Sequence, residues 1–237
     1  MPDKNFYLIA GCNGAGKTTA SFTVLPEFLD CREFVNADEI ARGLSPFQPE
    51  KVAMEAGRIM LHRVADLFAR GESFALETTL ATNIYQQKIK AAQQQGYVTT
   101  LLFFWLNSPE LARERVKTRV LEGGHHIPPD VIERRYWQGI HHLFAHYLPI
   151  IDEALIFDNS AGEPVLVARK LASGLSIENS TLYHQLKTSM NQEEQRERQE
   201  KIIAGVKIAY ERMLEFKRQK KSKVIVMREG KVVRLNP

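Results

Sequence analysis

Only two of the 237 residues are cysteine, Cys12 and Cys31, too few for the disulfide framework that staples small secreted domains. No uninterrupted apolar run approaches the ~20 residues a helix needs to span a bilayer. The first ten residues carry no basic stretch followed by an apolar segment and a cleavage site, so no secretory signal is expected. The histidine pair His125-His126 has no third ligand nearby, and adjacent residues cannot share one ion from a helix face, which argues against zinc. Together these absences predict a globular protein of the reducing cytoplasm, with no membrane partner.

A positive charge balance is also missing from most of the chain. Residues 1–183 carry a net −3, whereas His184 to Pro237 hold 14 Lys and Arg against 7 Asp and Glu. The basic balance therefore belongs to the tail, and nucleic acid is not an expected partner of the body.

Apolar runs suited to strands recur at 6–11, 33–38, 73–78, 97–107 and 153–160. Segments with helical spacing lie between them. Val52, Ala56, Ile59, Met60, Val64 and Leu67 share one face of such a segment. Another opens with Ser108 as N-cap and Pro109 in its first turn, and ends in Gly123-Gly124. Alternating strands and helices predict an α/β sandwich of three layers with a mainly parallel, five-stranded sheet. Polar residues 176–192 read as a linker. A long helical pattern follows, with Ile202, Val206, Ala209, Met213 and Phe216 as its apolar stripe, and then a hairpin turning at Glu229-Gly230. That stripe is expected to lie on the body or on a partner.

The chemistry begins with Gly11, Cys12, Asn13, Gly14, Ala15, Gly16, Lys17 and Thr18, which fit G-x-x-x-x-G-K-[ST] between a strand and a helix. Backbone N–H groups from Gly11 to Thr19 would face phosphate oxygens at the positive end of the helix dipole. Lys17 would reach the β- and γ-phosphates of ATP, and the Thr18 hydroxyl would join a Mg2+ shell. Asp38 follows the second strand. It could orient an acceptor hydroxyl and take its proton, or it could cap the helix that starts near Glu39. Glu77, with Thr78 and Thr79, ends the third strand; these groups suit a polyhydroxyl acceptor or a water-held Mg2+, while the carboxylate could instead cap a helix near Thr82-Asn83. The fourth strand ends without an acid, so Asp38 or Glu77 would have to serve the metal. Arg119, just before a glycine turn, is the candidate for a mobile arginine over the transferring phosphoryl group; Arg113 and Arg115 read as a solvated helix face.

The loop, "VNADEIA", "ALETTLA", the "GGHHIP" turn with its flanking arginines, and "DNSAG" together resemble the zeta-toxin family of P-loop kinases, particularly its short bacterial branch, over residues 4–170. The resemblance implies an ATP- and Mg2+-dependent kinase acting on the 3′-hydroxyl of the amino sugar in UDP-N-acetylglucosamine, with an antitoxin protein as partner. It further implies Asp38 as base, Glu77 and Thr78 in the acceptor pocket, Arg119 as the first lid arginine and Asn159 beside the adenine. The family's second arginine falls near His125-His126, and Arg134 is the nearest downstream. Where the family carries Glu-Gly-Thr, this chain has Glu77-Thr78-Thr79. The expected organisation is a kinase domain at 1–175 and an extension at 176–237. Two rivals stand beside this reading: a kinase of another metabolite, nucleoside or antibiotic, and a nucleotide-binding regulatory module whose basic tail binds nucleic acid.

Overall fold

The computed structural model describes residues 4–220, 222–228 and 231–236. All five expected strands form: β1 (Lys4–Ala10), β2 (Phe34–Val35), β3 (Phe74–Thr78), β4 (Tyr97–Trp105) and β5 (Glu153–Asp158). They pair in parallel in the order β2-β3-β1-β4-β5. Phe6 to Ala10 and Thr99 to Trp105 are buried without a break, as strands covered on both faces must be.

The sheet has seven strands rather than five. β6 (Val165–Leu171) and β7 (Gly174–Ile177) continue it beyond β5, both antiparallel to their neighbours. Only Val167 and Ala168 of β6 are buried and β7 is exposed throughout. In β6 Arg169 and Lys170 cut short the apolar run Val165 to Ala168, and β7 has none, which weakens the pattern that marks a buried strand.

The crossovers carry α1 (Lys17–Phe28), α2 (Ala37–Leu44), a 3-10 turn leading into α3 (Ala53–Arg70), α4 (Tyr85–Gln94), α5 (Pro109–Leu121) and α6 (Pro129–His142). Right-handed connections put α1 on one face of the sheet and the later crossover helices on the other. The predicted stripe of α3 buries Ala56, Met60, Val64 and Leu67, while Ile59 is exposed. Ser108 caps α5 by accepting from the Leu111 N–H.

Residues 176–192 are not a linker. β7 runs to Ile177, and the Asn179 side chain accepts from the Leu182 N–H as α7 (Ser180–Gln219) begins. Leu186 is buried, and Leu182, Tyr183 and Met190 pack against the same core. Serine, threonine and glutamine between these apolar positions weaken the helical period. The first compact unit therefore extends to Met190, and the second is Asn191–Pro237. Within the second unit, β8 (Val224–Arg228) and β9 (Lys231–Leu235) form the expected antiparallel pair; the turn at Glu229-Gly230 lies outside the described residues. Within this unit, Ile202, Val206 and Phe216 of the expected stripe are exposed.

Candidate active site

Strand register assembles the site. Ile9 pairs with Glu77 and Val35 with Leu76, so the phosphate loop after β1, Asn36 after β2 and Glu77 in β3 meet at the carboxyl ends of parallel strands, where such sheets place their ligands. Gly11 has φ 140°, and a Cβ there would lie 2.2 Å from the Phe104 carbonyl oxygen, so only glycine fits. Lys17 is buried at the start of α1. Its Nζ donates to the Cys12 carbonyl at 2.9 Å and lies 3.6 Å from Glu77 Oε1. Burial pushes the Cys12 thiol up to about 11 against the opposing pull of Lys17, keeping it protonated and inert.

Glu77 faces the loop rather than a helix end. Its Oε2 accepts from the Thr18 hydroxyl at 2.8 Å and from the Asn36 amide at 2.9 Å. The capping alternative fails, since α4 starts at Tyr85 with no side-chain cap. Thr78 spends its hydroxyl locally by accepting from the Leu80 N–H, which holds Leu80 at φ 59°. Thr79 lines the cavity in front of the loop.

Asn36, and not Asp38, caps α2. The Asn36 side-chain oxygen caps α2, accepting from the N–H groups of Asp38 and Glu39 at 2.8 and 3.3 Å. Asp38 therefore sits inside the first turn with its carboxylate unused for capping and 49% exposed. It lies where two cavities adjoin. One, of about 230 Å3, is lined by Lys17, Asn36, Glu77 and Thr79. The other, of about 190 Å3, is lined by Glu50, His125 and His126, and both include Asp38 and Arg135.

The arginines sort differently from the sequence expectation. Arg113 is tied to Glu110 and Glu133 at 2.7 and 2.9 Å, as a surface ion pair should be. Arg115 is not simply solvated; it donates to the Ser160 carbonyl at 3.1 Å. Arg119 carries buried Nε and Nη2 atoms with no hydrogen-bond partner, a costly arrangement for a guanidinium, and it lines neither of the two cavities. Arg134 is exposed, whereas its neighbour Arg135 donates to Asn13 Oδ1 at 3.2 Å and lines both cavities. The helical phase contains this signal: Arg135 lies three residues after buried Ile132 and four before buried Gly139, so it faces inward, while Arg134 does not.

His125 Nε2 lies 3.9 Å from Asp38 Oδ2. Burial lowers its pKa; Asp38 opposes this, while Arg119, Arg42 and Arg135 add to it, so the imidazole is neutral near pH 7. Asn159, expected beside the adenine, donates its amide to the Ala15 carbonyl at 2.8 Å and so braces the loop. Thr19 is exposed on α1.

The profile of the Zeta toxin family matches residues 2–161. A protein of Haemophilus influenzae, itself uncharacterised, is 32% identical over 128 residues, covering 53% of this chain and 88% of that one. Among solved structures, the AvrRxo1-ORF1:AvrRxo1-ORF2 pair with sulphate ions aligns at TM-score 0.65 and 18% identity over 78% of this chain. The chain spans only 63% of that protein's length. The same pair has been solved with ATP. The PezAT toxin–antitoxin system of Streptococcus pneumoniae aligns at TM-score 0.55 and 16% identity, over 81% of this chain and 88% of that one. With its phosphate loop, kinase-type sheet and matching profile, this chain belongs to the zeta toxin family of P-loop kinases.

Proposed function

We propose that the protein is an ATP-dependent kinase that transfers the γ-phosphoryl group to a hydroxyl of a small molecule, with the amino sugar of UDP-N-acetylglucosamine as the favoured acceptor. The observation that carries this reading is Asp38. It is relieved of capping by Asn36, half exposed, and set at the edge of the cavity that also holds Lys17 and Glu77. A protein that only bound nucleotide would have no use for a carboxylate there.

The residues present fit ATP and Mg2+. Gly11 keeps the loop backbone clear of any side chain, and Lys17 is held where it can neutralise donor phosphates. No cluster of three His, Cys, Asp or Glu side chains among the described residues can hold a metal, so Mg2+ would rest on Thr18, Glu77 and phosphate oxygens, as nucleotide-bound Mg2+ commonly does. When bound, Mg2+ would neutralise charge on the phosphates. Glu77, already bonded to Thr18 and Asn36, would supply the carboxylate missing from the end of β4. It thus reads better as a metal-side group than as an acceptor contact.

Asp38 would take the acceptor proton as the hydroxyl oxygen bonds to phosphorus and the bridge to the leaving diphosphate breaks. Arg119, whose guanidinium lacks a partner, would meet the charge that grows on the transferring group. Arg135 and Thr79 would orient the acceptor. An antitoxin partner is part of the same reading, supported by family membership and by the toxin–antitoxin origin of the PezAT structure.

Incubation with ATP, Mg2+ and a panel of nucleotide sugars, sugars and nucleosides tests this by mass spectrometry. A one-phosphoryl mass gain on a nucleotide sugar, absent with Asp38→Asn, is the expected result. A gain confined to another acceptor would move the substrate class. Tight ATP binding with no phosphorylated product from any acceptor would sink the kinase reading.

A further inference from the structure

One wall of the cavity in front of the phosphate loop is the segment between β3 and α4. Thr78, Thr79 and Thr82 line that cavity together with Lys17 and Asp38. Residues 79–84 form neither helix nor strand, and Leu80, although buried, sits at φ 59°. A bulky residue keeps that conformation only where its surroundings over-determine it.

Those surroundings are one side of α6 and its extension. A Cβ on Gly139 would lie 2.8 Å from the Thr79 carbonyl oxygen, so the wall's backbone rests directly on the helix. His142 donates from Nδ1 to the Leu80 carbonyl at 2.8 Å. Tyr147, fully buried, donates its hydroxyl to the Thr82 carbonyl at 2.5 Å. Burial pushes the Tyr147 phenol up, which keeps it a donor. A change of helix type makes this reach possible. After His142 a π turn, Leu143–Tyr147, closes with the Leu148 N–H on the Leu143 carbonyl at 2.8 Å. In an α-helix, residues five apart point about 140° away from each other. The wider turn brings Tyr147 back toward the side of His142. Arg135, one turn before Gly139 on the same helix, lines the same cavity.

We propose that His142 and Tyr147 are positioning residues for the acceptor: they lock the wall to α6, so that Thr79, Thr82 and Arg135 meet the acceptor as one fixed surface. This inference rests on the kinase reading above. Neither side chain lines the cavity, and each acts through a backbone carbonyl. Lys17 and Asn159 are fixed by bonds of their own to the phosphate loop. Loosening the wall therefore leaves the donor side intact.

Tyr147→Phe and His142→Ala test this in the full chain, with ATP as donor and UDP-N-acetylglucosamine as the probe acceptor, or the hit of the acceptor panel in its place. The acceptor KM should rise about fivefold or more in each variant, the scale of one lost hydrogen bond. The KM for ATP should stay within about twofold. His142→Asn, whose amide nitrogen can take the place of Nδ1, should restore the wild-type acceptor KM. Hydrogen exchange, read without substrate, should quicken at the amides of 79–84 and not at those of 11–18. Equal rises in both Michaelis constants, an acceptor KM that does not move, or a His142→Asn variant as weak as His142→Ala would each overturn the proposal. Unchanged exchange at 79–84 would do the same. That measurement needs no acceptor, so a wild-type chain that phosphorylates nothing would sink the kinase reading while exchange still decides whether these side chains hold the wall.

Discussion

The two sides of the cleft are built on opposite plans. On the donor side every polar group is committed: Lys17 to the Cys12 carbonyl and Glu77, Glu77 to Thr18 and Asn36, Asn159 to the loop carbonyl of Ala15. The groups proposed to act on the transferring phosphoryl and its acceptor are less committed. Asp38 is excused from capping, and Arg119 buries two guanidinium nitrogens without a partner. A phosphate-holding loop gains from rigidity because the α- and β-phosphates stay on the donor through the transfer. Groups that act on charge appearing only during transfer gain from keeping their hydrogen-bonding capacity unspent.

Removing the centre of the committed side should cost most. Lys17→Ala leaves Glu77 without its cation and the donor phosphates without theirs, so ATP affinity and turnover should fall together, with kcat/KM reduced by about three orders of magnitude or more. Isothermal titration with an ATP analogue and steady-state kinetics read both. If ATP binding survived intact, the donor side would not be the rigid half of the pair.

Asp38→Asn is the next largest and should split what Lys17→Ala joins. Turnover should drop by roughly two to four orders of magnitude, with ATP binding unchanged. Near-normal turnover would return Asp38 to a structural role and dissolve the contrast. Arg119→Ala should come third, lowering kcat by about a hundredfold with little change in KM for ATP. Arg134→Ala, at an exposed position on α6, serves as its control and should leave both constants within about twofold. Equal losses at the two arginines would mean that net positive charge, and not the buried guanidinium, matters.

Legibility in the sequence follows the same division. The donor side is local: a strand, a glycine loop and a helix in one continuous stretch, with positions fixed by backbone geometry. The strands β1, β3 and β4 were equally plain because burial on both faces leaves apolar runs. What distinguishes Asp38 from a cap is a hydrogen bond made by Asn36, two residues away, and both residue types are good caps. Arg134 and Arg135 are chemically identical and differ only in helical phase, which depends on where Ile132 and Gly139 are buried. The partly buried β6, the exposed β7 and the start of α7 mix polar with apolar residues, so their pairing is set by the neighbours they join and not by their own pattern.

A last substitution separates hydrogen bonding as such from position in the sheet. Asp152, just before β5, is bonded as densely as Glu77: it accepts from the Thr99 N–H and hydroxyl at 2.9 and 2.6 Å and from the Gln93 amide at 3.0 Å. It lies near the amino end of β4, away from the carboxyl ends that carry the cleft. Burial alone would raise its pKa, but the bonds from Thr99 and Gln93 and the charge of Lys170 hold it below the ordinary 3.8. A depressed carboxyl contributes stability that is fully present above its unfolded value and is lost as pH falls through the lower folded value. Asp152 is exposed, so solvent screening keeps the cost of Asp152→Ala to about 1 kcal/mol or less at pH 7, and the gap from wild type should close as pH falls below the ordinary value. Urea unfolding at pH 7 and near pH 3 measures both. Its kcat should stay at the wild-type level. A turnover loss on the scale of Asp38→Asn would show that dense bonding anywhere in the sheet supports catalysis, and the carboxyl-end placement of Glu77 would no longer explain its role.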